Sequence, residues 1–277
     1  MVLVALDVRR APLPLRPTAH AVHAAGADAH GDCVGAEGCL SEAELPAGEL
    51  ARPALRFATA HSGPPQVGVN LGAPGAYLDK IAAATKDLPV TLVFNNAGFM
   101  VTGFFDRTPL GKQMANIECN SVSAVQITHL FVTRMLAAQQ RGCVVFTSSA
   151  AACQPCPFSS LYGATKAFIS SFGSSLAVEL RSRGVDVCVV HPSPVASRFY
   201  DNAHALDSIS FFKQFNVEPD ALPDLIFAAI GRTVWRDIGG VAVAFRLMIK
   251  LLDYNLMATA LSRFAPLMGD FQKNLQS

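Results

Sequence analysis

Tyr162 and Lys166 stand four residues apart in Tyr162-Gly163-Ala164-Thr165-Lys166. On a helix that spacing puts both side chains on one face, within reach of each other. An ammonium beside a phenol favours the phenolate and draws the tyrosine pKa down from about 10. A phenol tuned in this way gives a proton to a carbonyl being reduced, or takes one from an alcohol being oxidised. Taken alone, the pair is equally a surface tyrosine beside a solvated lysine. Its neighbourhood favours the chemical reading. Ser148-Ser149 directly follows the apolar run GCVVFT, Asn95-Asn96-Ala97-Gly98 closes the run VTLVFN, and Pro192-Ser193-Pro194-Val195 follows VDVCVV. Three successive strands then deliver special residues to one edge of a sheet, where open α/β folds bind their ligands, and Gly98 permits a turn that a side chain would obstruct.

The elements that must position these residues alternate regularly after residue 66, the signature of βαβ units around a parallel sheet. A short apolar run at 65–71 is followed by a helix over 75–85 and strands over Val90–Asn95, Gly142–Thr147 and 185–190. Between them lie a long helix over 110–139, with Met114, Ile117, Ala124, Ile127, Phe131 and Met135 at helical spacing, and a helix over 160–181. Pro192 and Pro194 stop the last of these strands. Two helices and a short strand over 233–235 are expected in the final 80 residues. Residues 1–66, rich in Ala, Pro, Gly and His, form an atypical amino-terminal segment, and 67–277 form the domain proper.

These motifs together resemble the short-chain dehydrogenase/reductase family over about Val67 to Phe199: NNAG at 95–98, Asn120 inside the next long helix, SS at 148–149, YGATK at 162–166 and HPSPVAS at 191–197. Ser149 lies 13 residues before Tyr162, the usual family spacing, which selects it over Ser148. Within the family, NNAGFM and YGATKAFISSF are most similar to the branch of 3-oxoacyl-CoA reductases and hydroxysteroid dehydrogenases. The resemblance implies a doubly wound, Rossmann-type, mostly parallel sheet with a C-terminal helical lid. It implies an NAD(P)(H)-dependent oxidoreductase that interconverts a carbonyl and a secondary alcohol on an apolar substrate, steroid-like or long-chain 3-oxoacyl, with NADP favoured over NAD. Tyr162 would be the general acid/base, and Lys166 would lower its pKa and hold the nicotinamide ribose. Ser149 would bond the substrate oxygen, and Asn120 would hold a water in a proton path. Asn70, Asn96, Ala97, Gly98, Tyr162, Lys166, Pro192, Val195 and Ser197 would line the cofactor. The chain departs from the pattern at Ser193, where Gly is usual and would let backbone approach the nicotinamide more freely. It also departs at Ser197 for Thr, and at Asn70 for an adenine-contacting Asp.

A larger departure lies upstream. The family's glycine-rich turn, which meets the cofactor pyrophosphate at a helix N-terminus, should fall near residues 14–30, where the chain reads PLRPTAHAVHAAGADAH. Glycines in GDCVGAEG at 31–38 have no strand before them. Three readings stay open: the segment is translated in a shifted frame or from a misplaced exon; the protein is a cofactor-deficient binding protein of the same fold; or 1–8 is a strand, with Arg9 and Arg10 near an adenosine phosphate.

The remaining signals are weaker. A net charge of +1 gives no case for nucleic acid. The seven cysteines form no regular framework, which suggests a reducing compartment. No stretch reads as a signal peptide or a membrane span, so the expected location is cytoplasmic or membrane-peripheral. Cys153 and Cys156 form a CxxC better read as incidental loop cysteines than as a redox pair. His20, His23, His30, Cys33 and Cys39 fit no recurrent metal spacing, and no metal is expected. His191 is a strand-end histidine before it is a second base. Phe199, Tyr200, Phe211, Phe212 and Phe215 fall where a lid would meet an apolar substrate. Residues 240–268 read as core, dimer or membrane-surface helices.

Overall fold

The computed structural model describes residues 2–6, 67–200 and 206–276. Five strands form one sheet in the order β1 (Val2–Leu6), β2 (Val90–Asn95), β3 (Gly142–Thr147), β4 (Val185–Pro192) and β5 (Trp235–Ile238). Strands β2 to β5 run parallel, as expected when each returns through helical crossovers. The runs VTLVFN and GCVVFT match β2 and β3 residue for residue, and β4 extends two residues further than its apolar run, through His191 to Pro192. Strand β1 lies antiparallel on β2, with Val2 opposite Asn95 and Leu6 opposite Val90. The strand expected over 1–8 is therefore present in part. Its exit, Leu6, lies at the amino edge of β2, away from the strand ends that carry the site. Arg9, Arg10, the glycines at 31–38 and the His/Cys group at 20–39 lie outside the described residues.

Side chains alternate between the two faces of the sheet, as strand geometry requires. Val93, Val144, Phe146, Val187 and Val189 pack with Ile81 of α1 (Ala76–Ala84), Ile127, Phe131 and Met135 of α3 (Ser123–Ala137), and Ile169 and Leu180 of α4 (Ser160–Leu180). Leu92, Phe94, Cys143, Val145, Cys188 and Val190 face the other way, against Ala229, Ile230 and the residues of α6 (Leu222–Phe227). Helices thus cover both faces, which makes the fold doubly wound. The long helix expected over 110–139 is α2 (Leu110–Ile117) and α3 joined through a π-turn at Glu118–Val122.

The carboxyl-terminal region holds more helices than its sequence suggests. Beyond α5 (Asp207–Phe212) and α6 come α7 (Gly240–Leu251), α8 (Tyr254–Phe264) and α9 (Gly269–Gln276). The Asp270 carboxylate of α9 accepts the backbone N–H groups of Asp207 and Ser208, capping α5 from a distance.

Candidate active site

Three strand ends and one helix build the site. β3 ends at Thr147 and delivers Ser148 and Ser149, whose hydroxyl caps the short turn at Ala150–Cys153 by accepting the N–H of Ala151 at 3.1 Å. Helix α4 presents Tyr162 and Lys166 to the same place. The Ser149 hydroxyl stands by that of Tyr162, where it favours the phenolate. The Lys166 ammonium lies 5.7 Å from the centre of the Tyr162 ring and donates to the Thr147 carbonyl at 2.8 Å. The serine, phenol and ammonium therefore share one pocket.

The electrostatics differ from the sequence expectation in one respect. Burial is the dominant influence on Tyr162 and holds its phenol above the ordinary range; Tyr200 and Cys156 push the same way, and the Ser149 hydroxyl opposes them. Burial also lowers Lys166, to about 8. The site at neutral pH thus holds a protonated phenol beside an ammonium close to its titration point.

Asn120 sits in the π-turn and is almost fully buried. Its Oδ1 accepts the N–H of Phe99 at 3.0 Å, and its Nδ2 donates to the Phe99 carbonyl at 3.0 Å and to the Thr165 hydroxyl at 3.2 Å. One side-chain amide thereby pins the backbone that follows NNAG and ties it to α4. A Cβ at Gly98 would stand 3.1 Å from Asn120 Oδ1 and 3.3 Å from Lys166 Nζ, so the glycine permits this close approach. Asn95 donates to Thr128 at 2.9 Å and braces the end of β2, Asn96 is exposed, and Ala97 is half-buried.

The remaining residues assigned to the cofactor are more dispersed. Pro192 ends β4 opposite Ile238, and Val195 bridges to Val217. Ser197 is exposed and accepts the Phe199 N–H at 3.5 Å. Asn70 accepts the N–H of Gly72 through Oδ1 at 2.8 Å in a local turn. Ser193 has a structural use: its buried hydroxyl accepts the N–H of Ala242 at 3.0 Å and caps α7. Gly239, at φ 88°, leaves space for it, since a Cβ there would meet Ser193 Oγ at 2.5 Å.

Several contributors carry no chemical signature in the sequence. Asn116 joins Asn120 on the Phe99 carbonyl at 2.6 Å; its spacing of four from Asn120 was the available clue. The Thr147 carbonyl is backbone and has no such clue. Phe199 contacts the Tyr162 ring at 5.8 Å and Tyr200 at 5.1 Å. Phe104, Phe158 and Phe271 form an edge-to-face cluster that joins α9 to the loop before α4, with Phe158 at φ 62°. Cys153 and Cys156 are free thiols, and burial pushes Cys156 up to about 11, far from reactive thiolate character. An open groove of about 460 Å³ between α4 and α8, lined by Gly163, Ala164 and Ala167, lies on the face of α4 away from Tyr162 and Lys166. Among the described residues no group of three or more His, Cys, Asp or Glu could hold a metal, and no helix is long and apolar enough to cross a membrane.

A doubly wound sheet with a Ser–Tyr–Lys pocket at its carboxyl edge agrees with the short chain dehydrogenase family model, which matches residues 73–206. The chain is similar to that family over those residues. It is 31% identical to 17-beta-hydroxysteroid dehydrogenase type 3 of Mus musculus, over 49% of this chain and 46% of that one. It is 33% identical to very-long-chain 3-oxoacyl-CoA reductase of Anas platyrhynchos, over 43% and 39%. Both names belong to the branch the motifs resemble. The chain spans about half the length of the curated relatives it matches. A short chain dehydrogenase from Burkholderia cenocepacia J2315, solved in complex with NADP, shares the fold at TM-score 0.59 and 18% identity, covering 71% of this chain and 78% of that one.

Proposed function

We propose that the protein is a carbonyl/alcohol oxidoreductase acting on an apolar substrate, with Tyr162 as the proton donor and acceptor. The observation that carries this reading is the gathering of the Ser149 hydroxyl and the buried Lys166 ammonium at the Tyr162 phenol. A protonated phenol suits reduction, because a carbonyl oxygen gaining negative charge needs a proton. Ser149 donates to that oxygen and holds it against the phenol. Lys166 then carries the positive charge that favours the phenolate left behind.

The residues at this edge fit a nicotinamide dinucleotide. The ammonium of Lys166 has three donors, and Thr147 O is its one acceptor among the described residues, which leaves two for ribose hydroxyls. Asn96, Ala97 and Gly98 would run along the cofactor, and Pro192, Val195 and Ser197 would border its nicotinamide, with Asn70 toward the adenine. Such a cofactor supplies or accepts the hydride. NADP is favoured over NAD from family likeness. Asn120 Oδ1 keeps one lone pair for a water between itself and Lys166, the first step of a proton path. The aromatic wall of Phe199 and Tyr200 beside Tyr162 suits a steroid-like or long-chain 3-oxoacyl substrate.

Reduction of a panel of apolar ketones and 3-oxoacyl thioesters by NADPH tests the reading, with Tyr162→Phe as the control. General acid catalysis contributes about 10²–10⁴-fold, so the variant should lose activity by that order; undiminished turnover removes Tyr162 from the role. The amino-terminal stretch without a glycine-rich turn favours one rival, a binding protein of the same fold that holds no dinucleotide. Calorimetry separates the two: micromolar NADPH binding supports the enzyme, and no heat with either dinucleotide supports the rival. On α7, Val243, Leu247 and Leu251 form an exposed stripe with the exposed Lys250 near its end, a surface suited to peripheral contact with anionic lipid. Co-sedimentation with phosphatidylserine vesicles tests that contact; concentration-dependent self-association without vesicle binding would assign the stripe to a second copy of the chain instead.

A further inference from the structure

We propose that Ser148, Ser170 and His191 form a buried strut that positions Lys166 for its work at Tyr162. The strut touches neither substrate nor cofactor; it acts through the lysine. Its role rests on the oxidoreductase reading above, but its geometry stands by itself.

The carbonyl of Lys166 lies in the interior of α4, where helix geometry already gives it the N–H of residue 170. Two hydroxyls also converge on it, Ser148 Oγ at 2.8 Å and Ser170 Oγ at 2.8 Å, and the two hydroxyls are 2.7 Å from each other. Ser148 is the residue that directly follows Thr147, whose own carbonyl receives the Lys166 ammonium at 2.8 Å. The end of β3 therefore grips one lysine twice, by its main-chain oxygen and by its side-chain nitrogen. Fixing both ends of a four-carbon side chain removes the rotameric freedom that would let the ammonium wander from the phenol.

Ser170 is held in turn by His191 Nε2 at 2.8 Å. The imidazole is fully buried and lies flat on Trp235, 4.1 Å between ring centres and 8° from parallel. Each hydroxyl has one proton to give, and either neutral tautomer of His191 leaves at least one hydroxyl proton for the Lys166 carbonyl. The strut therefore works with a neutral ring in either tautomer. Its surroundings keep it so: burial first, then the Arg246 cation and Lys166 itself, hold His191 down to about 3, with a backbone bond to Val189 opposing them. Asp237 stands 4.0 Å from His191 Nδ1 but is shared with Arg246 at 3.6 Å. The groups facing the lysine are Tyr162 on its own helix, Cys119 from the π-turn and His191 from β4, none of them a carboxylate. Hydroxyls and a neutral ring thus hold the lysine in place without neutralising its charge.

The test is a titration of the full chain, free of any ligand, with lysine labelled at Cε and observed by carbon-13 NMR; the Lys166 signal is assigned by its loss in Lys166→Arg. In the unaltered protein Lys166 should titrate near 8. In Ser170→Ala the loosened helix lets the ammonium reach water, and its midpoint should rise by about one unit toward the ordinary value for lysine. Ser170→Thr, which keeps the hydroxyl, should restore it. Ser148→Ala should give the same rise and serves if Ser170→Ala fails to fold. Variants that melt earlier while Lys166 titrates as before would overturn the proposal and leave the hydroxyls a purely structural role. Because the readout needs no turnover, failure of the full chain to reduce any ketone or thioester of the panel would sink the oxidoreductase reading without touching this result.

Discussion

Asn120 shows how much a single side chain can carry. Its amide meets both polar groups of the Phe99 backbone and the Thr165 hydroxyl, so the turn after β2 and helix α4 are fixed to each other through one residue. Asn120→Ala leaves a buried N–H unpaired and leaves the Phe99 carbonyl to Asn116 alone, at about 1–3 kcal/mol for each unsatisfied group. A loss of about 2–4 kcal/mol is expected, read as a lower urea midpoint with an unchanged slope. Ser149→Ala tests the chemistry at the same scale: kcat should fall by about 10²–10³-fold, as for loss of one oxyanion donor, with little change in melting temperature. The gathering of Tyr162, Lys166, Ser149 and the NNAG run at one sheet edge was legible in the sequence because residue type and spacing record it. The raised phenol was not, because burial is a property of everything packed around it.

Helix ends here are finished by residues from elsewhere in the chain. Ser193, at the end of β4, caps α7, and Asp270, on α9, caps α5. Removing the first cap by Ser193→Ala should cost about 1 kcal/mol, seen as a drop of a few degrees in melting temperature. Asp270→Ala should free α5, whose next residue, Lys213, lies over the Tyr200 ring at 5.3 Å. The expected result is a several-fold higher KM for an apolar substrate with a smaller change in kcat. Caps of this kind explain why β2 to β4 could be read from the sequence residue by residue while the last five helices could not. Buried parallel strands announce themselves as continuous apolar runs. Helices of 6–12 residues interrupted by Pro219, Pro223 and Pro266 owe their existence to tertiary partners, which no local period records.

Across the whole molecule, a buried neutral histidine makes stability depend on acidity. His191 titrates near 3 when folded and near 6.5 when unfolded, so between those values the unfolded chain binds the extra proton. Stability is then fully present above about pH 6.5 and is lost as the pH falls toward 3. The slope is about 1.4 kcal/mol per pH unit, or about 3 kcal/mol between pH 6.5 and 4. Urea denaturation at several pH values should show this decline, and His191→Gln should flatten it. The motifs placed His191 at the sheet's edge, but the stack that makes it acid-sensitive joins β4, β5 and α7, and depends on which strands become neighbours.

That stack has a practical side. Trp235 is the only tryptophan in the chain, and its indole rests against His191 with the Arg246 guanidinium 3.9 Å from its centre. All the ultraviolet emission this protein gives from tryptophan therefore arises at one address, two hydrogen bonds from the backbone of Lys166. A shift in the colour or brightness of that light would report disturbance of the lysine's supports directly, without a dye, a label or a substrate.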